Sequence, residues 1–308
     1  MGYDRWDTNA YASNTATRAS LKGKTDFTKT SVHEAFENRS MPQALDPRKI
    51  TVRESCDSEK NPNSTPIIIG LDVTGSMGRY AHKIATTQLP NVMEGIYEQS
   101  PVSDPHIMFV GIGDVTCDSA PLQVSQFEAG ADAIVDQLTS LYIEGHGGGN
   151  SYESYDLPWY FAAEKTKIDS FDKRGVKGFI FTLGDELPPQ QDLRRHDLER
   201  VVSGDNFVVY ENTKALLEAV QKRYRVFHLV IEEGSYASSH LRSVREQWTN
   251  LLGPNAIFVR NYEYLPQIII ATLQIADGAD INAVLDHTES SIREELVYAF
   301  HNAINPQN

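Results

Sequence analysis

Ile67-Ile-Ile-Gly-Leu-Asp72-Val-Thr74-Gly-Ser76-Met-Gly78 is the stretch on which the fold turns. Its first five residues form a short apolar run without alternation, the pattern of a strand buried on both faces, and such strands belong to sheets covered by helices on both sides. Three short oxygen-bearing side chains, Asp72, Thr74 and Ser76, follow at once. Gly75 and Gly78 permit a tight turn there, and helical spacing resumes over residues 80–99.

Outward from this unit, the same alternation repeats. Apolar runs at residues 106–112, 176–183, 225–232 and 256–259 predict further buried strands, and residues 122–127 alternate like an edge partner. Between them lie helical patterns over 131–141, from the Gly-rich loop 145–150 through Lys167, over 188–206 (Leu193, Leu198, Val201), and over 213–224, 240–252 and 265–275. An amphipathic piece, 290–303, closes the chain. The expected fold is α/β: a doubly wound, mostly parallel central sheet with helices on both faces, occupying residues 64–277. Residues 278–308 read as a helical extension. Residues 1–63 read as a polar arm, with one short helix near Val32–Asn38, a strand-like run at Lys49–Arg53 and a Pro/Asn/Ser-rich loop from Cys56. No internal repeat is visible.

Composition narrows the function. A 308-residue chain with 40% hydrophobic and 23% charged residues is ordinary for a globular protein, but its net charge of −14 argues against a nucleic-acid partner. The acidic excess lies wholly beyond residue 64. Two cysteines, Cys56 and Cys117, are too few for a disulfide framework or a Cys-based zinc site. The start, Met1-Gly-Tyr-Asp-Arg-Trp-Asp7, lacks the apolar core of a secretory signal, and the apolar run around 268–275 is too short to span a bilayer. The expectation is a cytoplasmic protein with no membrane partner.

Open parallel sheets bind ligands in the crevice at the carboxyl ends of their strands, and Asp72, Thr74 and Ser76 stand at such an end. Hard cations such as Mg²⁺ take oxygen ligands about 2.1 Å away in near-octahedral geometry, and short side chains on a rigid turn supply part of that shell. The competing structural reading is an Asx turn at Asp72 with Ser76 capping the next helix. Two further loops end at the same predicted face: Gly147-Gly-Gly-Asn150-Ser151, and Thr182-Leu-Gly-Asp185-Glu186 after another buried strand.

Together these segments resemble the von Willebrand factor A domain, over roughly residues 64–277. That family's metal-ion-dependent adhesion site uses Asp-x-Ser/Thr-x-Ser on the first loop, a Thr or equivalent on the second and a distant Asp on the third. The resemblance implies a non-catalytic module whose Mg²⁺, or else Mn²⁺ or Ca²⁺, is held by Asp72, Thr74, Ser76, Asn150 and Asp185 and completed by an acidic side chain of a partner protein. Thr74 replaces the commoner Ser and keeps the hydroxyl. On the second loop Asn150 and Ser151 both compete for the role, and Asn150-Ser-Tyr-Glu153 also reads as a helix cap with its acidic partner. On the third, Asp185 sits two residues later than usual, with Glu186 beside it. Some intracellular members of the family act as adaptors to an ATPase, and the alternative role is a structural component of a bacterial or phage assembly.

Three rival sites fit less well. His146-Gly-Gly-Gly149 resembles an oxyanion-hole loop, yet no Gly-x-Ser-x-Gly nucleophile turn occurs. A Mg²⁺-dependent phosphoryl-transfer hydrolase using Asp72 would need a second acid two residues on, where Thr74 stands. The nine histidines show no zinc spacing, and Asp114 and Asp118, flanking Cys117, read as turn formers.

Overall fold

The computed structural model describes residues 4–21, 36, 38–143 and 151–301. Eight strands follow one another along the chain: β1 (Arg53–Ser55), β2 (Thr65–Asp72), β3 (Pro105–Ile112), β4 (Leu122–Val124), β5 (Thr166–Ile168), β6 (Gly178–Gly184), β7 (Tyr224–Ile231) and β8 (Ala256–Val259). Six of them build one sheet in the order β4-β3-β2-β6-β7-β8, parallel throughout except for the β3–β4 edge pair. β1 and β5 form a separate parallel pair.

Strand alternation divides the interior in two. Ile67, Ile69 and Leu71 of β2, with Phe179 and Phe181 of β6, pack against Leu89, Val92 and Met93 of the helix Leu89–Gln99 and Ile268 and Ile269 of the helix Leu265–Ala276. Ile68 and Ile180, with Val226 and Val230 of β7, belong to a second cluster containing Trp159 and Phe161 of the helix Asp156–Glu164 and Val244 and Trp248 of the helix Ser235–Leu252. All eight residues of β2 and all eight of β3 are buried. This is why neither alternates in sequence.

The strand order reverses beside β2. From β2 the chain runs outward to β3, then returns to the other side of β2 at β6 and continues outward to β7 and β8. The chain thus leaves β2 toward one edge of the sheet and β6 toward the other, and it is at such a reversal that open parallel sheets bind ligands. Asp72 ends β2, and Asp185 directly follows β6.

Several expected elements differ. Residues 8–21 form a helix, not an extended arm, with Ala19 buried and Asn14 bonded to Asp132 on the helix Ala131–Thr139. Its Thr, Ser and Asn content has low helix propensity and no marked apolar stripe, so tertiary contact decides it. Lys49–Arg53 is not a strand: Pro47–Lys49 is a helical turn, and pairing begins at Arg53, which faces Thr166. The helical pattern expected through Lys167 stops at Glu164, because Thr166–Ile168 is claimed by β1. The polar stretch 188–206 is helical only over Arg195–Val201. The short helix expected near Val32–Asn38 falls outside the described residues apart from 36 and 38. The closing helix, Ser290–Ala299, buries Leu296 and Ala299 in the first cluster, so the C-terminal segment packs into the main core. Among the described residues no helix is long and apolar enough to cross a membrane.

Asp156 opens the helix Asp156–Glu164 in a fully buried position, and neither carboxylate oxygen reaches a hydrogen-bond partner at ordinary geometry. Burial pushes its pKa from 3.8 up to about 8. Between those values the folded chain keeps a proton that the unfolded chain releases, so stability falls as pH rises through the window and levels off above it. We predict that Asp156→Asn flattens the dependence. In urea titrations its advantage over the wild type should grow from nothing near pH 4 to more than about 1 kcal/mol at pH 8; a constant difference across that range would contradict the assignment.

Candidate functional site

The first loop folds around Asp72. Its Oδ1 accepts from the backbone N–H of Thr74 (2.9 Å) and from the Thr74 hydroxyl (2.6 Å), which lies 3.2 Å from the Ser76 hydroxyl. The Asx turn is therefore present, but Ser76 does not cap the next helix: Met77 occupies that place, with no side-chain cap. The three oxygen side chains remain together on one turn.

Asp72 Oδ2 accepts from the Tyr155 hydroxyl at 2.9 Å. Tyr155 is completely buried, its ring edge-on to His228 (4.7 Å) and Trp248 (5.4 Å). His228 stacks on Trp248 at 3.5 Å, with its Nδ1 2.8 Å from the Thr182 hydroxyl, and burial drives its pKa well down, so it is neutral. Trp248 in turn donates from Nε1 to the Glu186 carbonyl (2.9 Å). Gly184 makes room for this stack, since a Cβ there would stand 1.9 Å from the Tyr155 oxygen.

Asp185 closes the crevice from β6. Its Oδ2 accepts from the N–H of Tyr236 (2.8 Å), in the first turn of the helix Ser235–Leu252, where the helix dipole favours an anion. Its Oδ1 is buried and makes no hydrogen bond at ordinary geometry, although the Ser76 hydroxyl stands close enough to the carboxyl to lower its pKa. Gly234 lies so close that a Cβ there would stand 2.2 Å from Asp185 Cβ. Ser235 donates from N (3.3 Å) and Oγ (2.9 Å) to the Ser76 carbonyl, tying the β7 loop to the first loop.

Two more carboxylates, Glu153 and Glu186, are buried at the same end of the sheet, each with an unpartnered Oε2. Burial, and after it the Asp185 carboxylate, raises Asp72. Burial raises Asp185, against the Tyr236 N–H and the Ser76 hydroxyl, which lower it. Glu186 is pushed up to about 8 by burial and then by Asp72 and Asp185, against the Ser76 hydroxyl, which lowers it. Glu153 moves strongly upward, through burial, Asp72 and Glu186. These groups are coupled, and each makes the next harder to ionise.

The structure thus brings together Asp72, Thr74, Ser76 and Asp185. Asn150 lies outside the described residues; Ser151 is half-buried, and its carbonyl accepts from the N–H of Leu187 (3.2 Å). Glu153 is not the acidic partner of a helix cap, because the helix begins three residues later at Asp156 and Glu153 turns into the crevice end of the sheet. Asp114 and Asp118 do form a turn: Asp118 Oδ2 accepts from Asp114 N (2.7 Å), and Asp114 Oδ1 from Thr116 N (2.7 Å). Among the described residues, no three His, Cys, Asp or Glu side chains form a group that could hold a metal ion. The carboxylates stand instead beside hydroxyls. The sequence reading missed the roles of Glu153, Tyr155, Gly184, Gly234 and Ser235, although Gly234-Ser235, shortly after the buried strand β7, was a usable signal for a close loop.

No family model matches the chain, and no curated protein matches it. Among solved structures it is similar to the pilus adhesin SpaC from Lactobacillus rhamnosus GG in its open conformation, with 11% identity over 75% of this chain and a TM-score of 0.46. A second structure of that adhesin gives 11% identity and a TM-score of 0.45. The matched region spans only 31% of the adhesin's length.

Gly234 and Asp185 have no slack between them, because the clash is with the first side-chain carbon and carboxylate rather than a flexible tip. We predict that Gly234→Ala displaces Asp185 from the Tyr236 N–H and destabilises the chain by about 2 kcal/mol in denaturant titration. A loss under about 0.5 kcal/mol, the range of a neutral surface change, would show that the contact gives way freely.

Proposed function

We propose that the crevice is the site of a divalent cation held by Asp72, Ser76 and Asp185, with Thr74 placed as a further donor directly or through water, and that the protein is a non-catalytic interaction module. On this reading the chain is a doubly wound relative of the von Willebrand factor A domain, and an acidic side chain of a partner protein completes the cation's shell. The observation that carries it is Asp185 Oδ1, a buried carboxylate oxygen with no hydrogen bond at ordinary geometry, with the Ser76 hydroxyl and Asp72 close to that carboxyl. Leaving such an atom unsatisfied costs on the order of 1–3 kcal/mol, more for a charged group, and a cation removes the cost.

The donor chemistry supports the same reading. Carboxylates and hydroxyls suit hard cations, so Mg²⁺ is the first candidate, then Mn²⁺ and Ca²⁺. When bound, the cation supplies positive charge and open coordination positions at the mouth of the crevice. The chain's own residues do the rest. Thr74 and Tyr155 each hold one oxygen of Asp72, which fixes that carboxylate, and the Tyr236 N–H fixes Asp185. Two carboxylates anchored from adjacent strands define a position, whereas free ones would only attract counter-ions.

An adaptor role alongside an ATPase fits a sequence without a Gly-x-Ser-x-Gly turn or a phosphate-binding loop of its own, and a cytoplasmic setting fits the two unpaired thiols, Cys56 and Cys117.

Binding to the folded state alone must stabilise it, by about 2.7 kcal/mol at a hundredfold excess over Kd. Mg²⁺ or Mn²⁺ is therefore expected to raise the melting temperature by several degrees. Asp72→Asn keeps the shape of the loop and should abolish that shift, while leaving the metal-free melting temperature equal or higher, since it removes a like charge beside Asp185. A melting temperature indifferent to both metals in the wild type would sink the proposal.

A further inference from the structure

We propose that the sheet carries a binding site for an amphipathic carboxylate, an acyl or aryl body with one anionic head, at the end opposite the crevice. A cavity of about 450 Å³ lies at the amino ends of β6, β7 and β8, between the sheet and the helices Leu265–Ala276 and Ile281–Asp286. That size is within the range of small-molecule sites. The cavity shares no residue with the crevice, so the proposal stands apart from the cation assigned there.

Strand register decides how the cavity is lined. Phe179 of β6 pairs with Arg225 of β7, Phe181 with Phe227, and Leu229 with Ile257 of β8. Partners across parallel strands share a face, and side chains two apart along a strand return to it. Lys177, Arg225, Phe227 and Ile257 therefore all belong to the face that packs on the helix Leu265–Ala276. The two cations sit at its outer margin, both exposed, with the Arg225 guanidinium 5.6 Å from the Phe179 ring centroid. Phe227 and Ile257 lie deeper, at 7% and 1% exposure. Ile281 and Phe300 supply apolar surface from the helical side.

Charge selects the ligand. The chain holds 42 Asp+Glu against 28 Lys+Arg, yet this cavity is lined by two cations and no acid. Among the described residues neither Lys177 nor Arg225 has a carboxylate within ion-pair distance, whereas their neighbours in sequence do: Lys173 pairs with Asp169, Arg174 with Asp57 and Arg223 with Asp172. Lys177 Nζ donates to the Gln221 carbonyl (2.7 Å), which holds the ammonium beside the cavity and leaves two of its three N–H groups to donate. Free carbonyls at the end of the helix Leu265–Ala276 would repel an anion, but Leu273 and Ile275 accept from the N–H groups of Asp277 (2.9 Å) and Gly278 (3.1 Å). A planar carboxylate meets a guanidinium fork bidentately, and an apolar body behind it displaces water from Phe227 and Ile257.

The test is calorimetric titration of the full chain with decanoate in metal-free buffer. One decanoate is expected to bind per chain. Decylammonium, with the same tail and the opposite charge, should bind at least about tenfold more weakly, and acetate not at all. Lys177→Gln/Arg225→Gln should weaken decanoate at least about tenfold through the loss of charge-assisted hydrogen bonds. Both side chains are exposed, so this variant is expected to melt with the wild type. Ile281→Asp keeps both cations, sets an acid in the apolar wall, and should weaken decanoate by a similar factor. No decanoate bound at about 1 mM, decanoate bound equally by the wild type and both variants, or decylammonium bound as tightly as decanoate would overturn the proposal.

Discussion

A carboxylate at the end of a completely buried strand sets the terms for everything around it. Asp72 cannot shed its charge into water, and Asp185, on the adjacent strand end, raises the cost of ionising it. The surroundings meet that cost with donors: the Thr74 N–H and hydroxyl on one oxygen, the Tyr155 hydroxyl on the other, and the first turn of the helix Ser235–Leu252 on Asp185. These donors account for Asp72 and for one oxygen of Asp185. They leave Asp185 Oδ1, Glu153 Oε2 and Glu186 Oε2 unanswered. A proton, which the upward-shifted pKa values favour, or the proposed hard cation would answer them.

The fold delivers these groups to one place through topology. Reversal of strand order between β2 and β6 separates the two loops that carry Asp72 and Asp185, and the cross-links from Ser235 to Ser76 and from Trp248 to Glu186 then draw four segments around the gap. Beneath it, the stack of Tyr155, His228 and Trp248 is packed without tolerance, since Gly184 admits no side chain. Rigidity below and donors above are what a preorganised ion site requires. The same arrangement explains why His228, despite its imidazole, is a structural residue: it is buried, neutral and committed to Thr182.

Much of this was legible in the sequence, and the exceptions have physical causes. β2, β3, β6 and β7 read correctly because strands buried on both faces become unbroken apolar runs. Asp72, Thr74 and Ser76 were visible because their spacing lies within one turn, and Asp185 because it follows a recognisable strand. Glu153 and Tyr155 were not, because their roles arise from how residues 151–155 cross beside Leu187 and Gly113, which no local pattern records. The helix Thr8–Leu21 was hidden for a related reason: it lacks a strong apolar face and is held partly by polar contacts from Asn14 and Arg18 to the helix Ala131–Thr139.

The proposed cation belongs between β2 and β6. Anomalous diffraction from crystals grown with Mn²⁺ addresses it most directly. The account predicts a peak within coordination distance, about 2.1–2.3 Å, of Asp185 Oδ1 and the Ser76 hydroxyl, with Asp72 at the same ion or one water away. Crystals that show the four carboxylates in this arrangement, no anomalous density in the crevice, and Asp185 Oδ1 bonded to protein or water alone would contradict it.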